Sequence, residues 1–215
     1  LPDKGAILQR DGSYAVTPRI PCGLIEDFDQ LRRIADVAER YGARAIKVTS
    51  SQRLAVIGID EQQLDDFWRD LDMAPGIGFG LCIRSIKACP GTTFCRLGQQ
   101  DALGLGLRLE QRFVHQSAPS KLKISVSGCP LDCAEAHLRD IGLVAGRKGY
   151  TLEVGGAGGP SPRIAAPIAE QLDDAAAEEL VGRVIETYRG LGKKKRLGKL
   201  IESMGVDAFK GELGL

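Results

Sequence analysis

Residues 121–136 read KLKISVSGCPLDCAEA, and residues 83–95 read IRSIKACPGTTFC. Each stretch passes from a short β-rich segment into a loop that carries two cysteines. Five residues separate Cys89 from Cys95, and three separate Cys129 from Cys133. This pattern predicts strands that deliver thiols to loops in an α/β arrangement. Zinc sites favour Cys-x2-Cys, often with His, whereas four thiolates on loops are what a cubane iron–sulfur cluster requires. Buried structural thiols are the third reading of the same residues. In GCPLDCAEAHL, Pro130 is expected at the first position of a helix. Cys133 would then lie in a first turn, where helix amides favour a thiolate. Gly128 is expected to let the backbone approach a bulky ligand. Cys22, in a turn, and Cys82, in a strand-like run, are expected to pack as small hydrophobes.

Upstream of the cysteine loops, residues 13–72 read as strand, helix, strand, strand, helix. In EDFDQLRRIADVAERYG, Phe28, Leu31, Ile34, Ala35, Ala38 and Tyr41 recur at helical spacing, with Gly42 as the stop. ARAIKVT and RLAVIGI flank the polar SSQ as a hairpin. Asp60 and Gln63 read as a capping box for DEQQLDDFWRDL. A βαββα order predicts an α+β layer with its helices on one face of an antiparallel sheet. MAPGIGFG at 73–80 is the linker, so the expected domains are residues 1–75 and 76–215. Beyond it, QQDALGLGLRLEQRFVHQ is a helix and DIGLVAG and YTLEVGG are strands. The tight loop GGAGGPSP and helices from Asp173 and from about Lys194 complete the chain.

The chain has 215 residues, with 29 basic and 28 acidic side chains and a formal net charge of +1. That balance argues against a nucleic-acid binder. No apolar run reaches the roughly 18 residues of a membrane span. The six cysteines are even in number, but the chain is too long to need disulfide staples, and its first residues show no export signal. A cytoplasmic location is therefore expected. GLG at 104–106 lies inside a helical stretch, which excludes a dinucleotide fingerprint. KKKR at 193–196 reads as a solvated helix start or as a patch for an acidic partner.

With CPGTTFC and GCPLDC in place, the sequence resembles the siroheme and iron–sulfur domain of sulfite and nitrite reductases. The likeness continues through TPRIPCGLI, IKVTSSQRLAVIGI and VGGAGG, so it covers nearly the whole chain. Larger members carry two such halves; this chain resembles the small single-half, assimilatory-type branch. The fold this implies is α+β, an N-terminal ferredoxin-like βαββα domain followed by an α/β siroheme and iron–sulfur domain.

The resemblance implies a [4Fe-4S] cluster on Cys89, Cys95, Cys129 and Cys133, with Cys133 bridging to the siroheme iron. The implied activity is six-electron reduction of sulfite to sulfide. Nitrite reduction at the same site, a non-catalytic electron-transfer subunit and a zinc-bound structural domain are the alternatives. Siroheme is rimmed by carboxylates and its substrates are oxyanions, so fixed cations are required. Arg19, Arg84, Lys121 and Lys123 align with family positions for substrate or siroheme, and Lys ammonium groups can donate protons. Lys47, Arg53, Lys87 and Arg96 are candidates for the siroheme carboxylates, as is an anion nest around Gly155 and Gly156. The two-half members place Arg just before the Gln of TSSQ, where this chain has Ser51; Arg53 stands one residue beyond Gln52. Nothing resembles a flavin or nicotinamide site, so electrons are expected from an external donor such as a ferredoxin. A homodimer in which each chain lends Lys121 and Lys123 to its partner is one way to complete the site.

Overall fold

A computed structural model describes residues 4–76, 78–191 and 194–215. The chain divides into two compact units, Leu1–Gly80 and Leu81–Leu215.

In the first unit, β1 (Ala6–Leu8), β2 (Tyr14–Val16), β3 (Ala45–Val48) and β4 (Leu54–Ile59) form an antiparallel sheet in the order β1-β2-β4-β3. Helices α1 (Phe28–Arg40) and α2 (Leu64–Leu71) follow β2 and β4. Asp27 caps α1 by accepting the Asp29 amide, and Gly42 adopts φ +68 just beyond its end. Ile34, Val56, Ile59, Leu64, Phe67 and Leu71 are fully buried together and form the core of this unit. The apolar stripe of α1 is narrower than its spacing predicts. Phe28 and Leu31 are exposed, and Val37 is buried beside Ile34 and Ala38. Asp60 makes no side-chain cap, because a 3-10 turn at Glu61–Gln63 precedes α2. Strand β1 is an addition to the expected order, joined to β2 through a turn at Asp11–Gly12, where Gly12 has φ +87.

The second unit is built on a five-stranded sheet in the order β5-β6-β7-β8-β9. Its strands are β5 (Lys87–Ala88), β6 (Ile124–Ser127), β7 (Ile141–Gly146), β8 (Gly149–Val154) and β9 (Ala166–Leu172). The first three are parallel and the last two antiparallel. The helices are α3 (Gly91–Phe94), α4 (Ala102–Phe113), α5 (Asp174–Gly190), α6 (Leu197–Met204) and α7 (Val206–Glu212). Paired residues share a face of a sheet. Ile124, Ile141 and Val154 are aligned on one face, as are Val126, Leu143 and Leu152, all buried. Helices α4 and α5 pack on this sheet, and their Leu105, Leu109, Val181 and Ile185 are fully buried. The opposite face is polar. It presents Lys87, Ser125 and Glu153 in register, with Gly142 between the last two.

One expected helix does not form. Residues 130–135 are turns, followed by a single 3-10 turn at Ala136–Leu138. Asp132 and Glu135 adopt φ +47 and +56, which no right-handed helix accommodates. The Asp132 carboxylate instead accepts the amides of Ala136 and His137. Cys133 therefore sits in a loop, without a helix dipole behind it.

Candidate active site

The two cysteine loops cross where three glycines meet. A Cβ on Gly128 would lie 2.7 Å from the Gly91 Cα, and one on Gly98 would lie 2.5 Å from the Gly91 carbonyl carbon. The Gly128 carbonyl accepts the amides of Gln99 and Gln100, at 2.7 and 3.2 Å. Gly128 is in close contact with the other loop's backbone. Its amide points at sulfur, donating to Cys89 Sγ at 3.0 Å. Parallel pairing of β5 and β6 carries Cys89 and Cys129 to the same end of the sheet. Both are buried, while Cys95 and Cys133 are exposed, and all four are free thiols. Among the described residues, no three His, Cys, Asp or Glu side chains gather as a single metal ion requires. A cubane does not need them to, since each thiolate meets a different iron. Four soft donors on two loops locked at a glycine crossing, with an N–H already on one sulfur, fit a [4Fe-4S] cluster. Cys22 and Cys82 are buried elsewhere, Cys22 in the first unit.

After Cys133 the loop turns back along the polar face. Ser125 Oγ donates to the Ala134 carbonyl at 2.6 Å, and a Cβ on Gly142 would lie 2.3 Å from the Ala136 carbonyl oxygen. His137 lies on the 3-10 turn at Ala136–Leu138. It places Nδ1 2.7 Å from Glu153 Oε2, and this hydrogen bond raises its pKa above the ordinary histidine value.

Cations line the same face. Lys87 Nζ lies 3.2 Å from Glu135 Oε2, and Arg139 reaches that carboxylate at 2.6 Å. Lys123 stands at the start of β6, with its amide donating to Asp140 Oδ2 at 2.9 Å. Arg196 grips the buried Asp140 with two nitrogens, at 2.7 and 3.2 Å. Burial, then Arg139, Arg196 and Lys121, lowers the Lys123 pKa. Arg84 is buried, its amide bonded to the Leu122 carbonyl, and desolvation lowers its pKa too. Lys121 and Arg96 are exposed. Such crowding of positive charge in a half-buried setting suits a polycarboxylate cofactor and an oxyanion. In the first unit, Arg19 is half-buried, with its amide on the Ala74 carbonyl. Arg53 follows the Gln52 turn and lies near Gly78, while Lys47 is exposed on β3.

Gly155 and Gly156 pack closely against neighbouring backbone. The Gly155 amide donates to the Asp140 carbonyl at 2.8 Å, and a Cβ on Gly156 would meet backbone of Arg139 and His137 at 2.5–2.7 Å. KKKR is not uniformly solvated. Lys193 lies outside the described residues, Lys194 and Lys195 are exposed, and Arg196 is half-buried on Asp140. The Asp140–Arg196 pair escaped sequence reasoning because the two residues, 56 positions apart, come together only in the fold.

Comparison with known proteins places this arrangement. The sequence pattern of the nitrite/sulfite reductase ferredoxin-like half domain matches residues 7–74. That of the nitrite and sulphite reductase 4Fe-4S domain matches residues 79–215. The chain belongs to the nitrite and sulphite reductase family. It is an oxidoreductase whose cofactors are a [4Fe-4S] cluster and siroheme. An assimilatory-type sulfite reductase from Nitratidesulfovibrio vulgaris is 43% identical over 96% of this chain and 95% of its own length. The NAD(P)H nitrite reductase of Bacillus subtilis is 39% identical over 97% of this chain, which spans only 26% of that protein. A dissimilatory sulfite reductase I structure shares the fold with a TM-score of 0.80 at 16% identity, over 94% of this chain and 69% of that one. The NirA protein of Mycobacterium tuberculosis gives 0.76 at 21% identity, over 97% and 41%. Among the described residues, no helix is long and apolar enough to cross a membrane.

Proposed function

We propose that the chain reduces sulfite to sulfide with electrons from an external donor such as a ferredoxin. The observation that carries this is the match to an assimilatory-type sulfite reductase along 95% of that protein's length. Nitrite is the second reading, favoured by the 39% identity to a nitrite reductase, but that match spans only 26% of the relative.

In this reading Cys89, Cys95, Cys129 and Cys133 would hold the cluster, and Cys133 would also serve the siroheme. When bound, the two cofactors supply the electrons and the iron centre at which the oxyanion is reduced. The chain's residues bind the anion and manage protons. Arg84 and Lys123 have lost much of their water, so each stabilises an anion more strongly than a solvated cation does. Lys123, with a lowered pKa, gives up a proton more readily than an ordinary lysine, which suits it to protonating leaving oxygen. Lys121 extends the same charge. Lys87 and Arg96 are assigned to siroheme carboxylates, and Arg19, Lys47 and Arg53 carry the corresponding roles in the first unit.

Titrating the purified holoprotein with sulfite, cyanide and carbon monoxide tests the enzyme reading. Siroheme absorption bands are expected to shift with each. Bands indifferent to all three identify a closed site and an electron-transfer subunit instead.

A further inference from the structure

We propose that Asp132 is the positioning residue of the second cysteine pair, its carboxylate holding the backbone between Cys129 and Cys133 in the shape that receives the cluster. The inference rests on the assignment of those two cysteines as cluster ligands.

The local sequence has helix-start signals, with Pro130 first and an Ala/Glu-rich stretch behind Cys133. A helix there would carry Cys133 off on its own axis. The structure shows what prevents it. Asp132 Oδ1 accepts from Ser127 Oγ at 2.6 Å and from the Ala136 amide at 2.7 Å. Oδ2 accepts the His137 amide at 3.2 Å and lies 3.8 Å from His137 Nε2. Ser127 Oγ in turn accepts the Ala134 amide at 3.1 Å. Both neighbours of Cys133 are therefore tied to one hydroxyl at the end of β6. His137 extends the chain of contacts to Glu153 on β8. A single carboxylate thus anchors the Cys133 loop to two strands of the sheet. Hydrogen-bonded partners of this kind around metal ligands commonly govern how firmly the metal is held.

The full-length holoprotein provides the test, with release of iron to a ferrous chelator as the readout. Asp132→Ala removes every hydrogen bond that the carboxylate makes, and iron release is expected to accelerate about 10- to 100-fold. Asp132→Asn keeps an oxygen for Ser127 and Ala136 and is expected to retain iron close to wild type. Ser127→Ala, which cuts the tie on both sides of Cys133, is expected to fall between them and serves if Asp132→Ala does not fold. Unfolding midpoints of the apoproteins are measured alongside. Wild-type retention in Asp132→Ala overturns the proposal, as does loss in Asp132→Asn as fast as in Asp132→Ala. So does iron release that merely follows a lowered unfolding midpoint. Full cluster content in Cys129→Ser would instead overturn the ligand assignment and, with it, the cluster-positioning role of Asp132.

Discussion

Cys133 and Cys22 form a matched pair of substitutions. Neither forms a disulfide, but Cys133 lies on the second cysteine loop and Cys22 is buried in the first unit. Serine oxygen is a poor ligand for soft iron–sulfur sites, so Cys133→Ser is expected to lose the siroheme spectrum and cluster iron. Cys22→Ser is expected to keep both. Iron per chain and the visible spectrum decide it, and equal losses in the two variants would contradict the assignment. Lys123 supplies a pH test. Its folded pKa is lowered by burial first and by Arg139, Arg196 and Lys121 after that. The ammonium is therefore discharged as pH rises through a value below that of an ordinary lysine, and activity is expected to fall on that alkaline limb. Lys123→Arg stays charged throughout. It is expected to abolish the limb while cutting kcat about a hundredfold, because a guanidinium is no proton donor at these pH values. Wild-type kcat with an unchanged profile would remove Lys123 from proton delivery. Residues of this kind differ in how legible they are. The cysteines announce themselves through local spacing, whereas Arg196 and Asp140 sit 56 positions apart and nothing in either neighbourhood names the other.

Elements with a strong period were legible, and those set by a single side chain were not. Helices α1, α4 and α5 follow their apolar spacing, and the β3–β4 hairpin follows its turn. Strands β1 and β9 went unread for different reasons. The first is only three residues long, and the second carries Pro167, which fits an edge strand but breaks a strand pattern. The helix expected after Cys129 was lost to the competing carboxylate of Asp132. The glycine crossing can be tested at this scale. Gly128→Ala would drive a methyl group to 2.7 Å from the Gly91 Cα and 3.1 Å from the Gln100 carbonyl oxygen. Both obstacles are backbone, so a destabilisation of about 1–3 kcal/mol is expected from overpacking. Gly190→Ala, at the end of α5 with nothing within 4 Å of the added carbon, is expected to be neutral or to stabilise by up to about 1 kcal/mol. Denaturant unfolding of the two variants measures this, and equal midpoints would deny the tight crossing.

For the whole molecule, the two-part plan was legible because each part carries its own motifs, the hairpin and helices before residue 80 and the cysteine loops after it. The net charge of +1 offers little long-range attraction to an acidic donor. On the proposal of an acidic protein donor, docking would depend on local patches, and exposed Lys194 and Lys195 are a candidate. The central proposal is chemical: the chain reduces sulfite with its [4Fe-4S] cluster and siroheme. Steady-state reduction under anaerobic conditions tests it most directly, with reduced viologen as donor and sulfite and nitrite compared on the same preparation. The account predicts sulfide as product, six donor equivalents oxidised per sulfide formed, and a higher kcat/KM for sulfite than for nitrite. Ammonia production from nitrite at the higher kcat/KM, or no turnover of either anion by fully loaded protein, would contradict it.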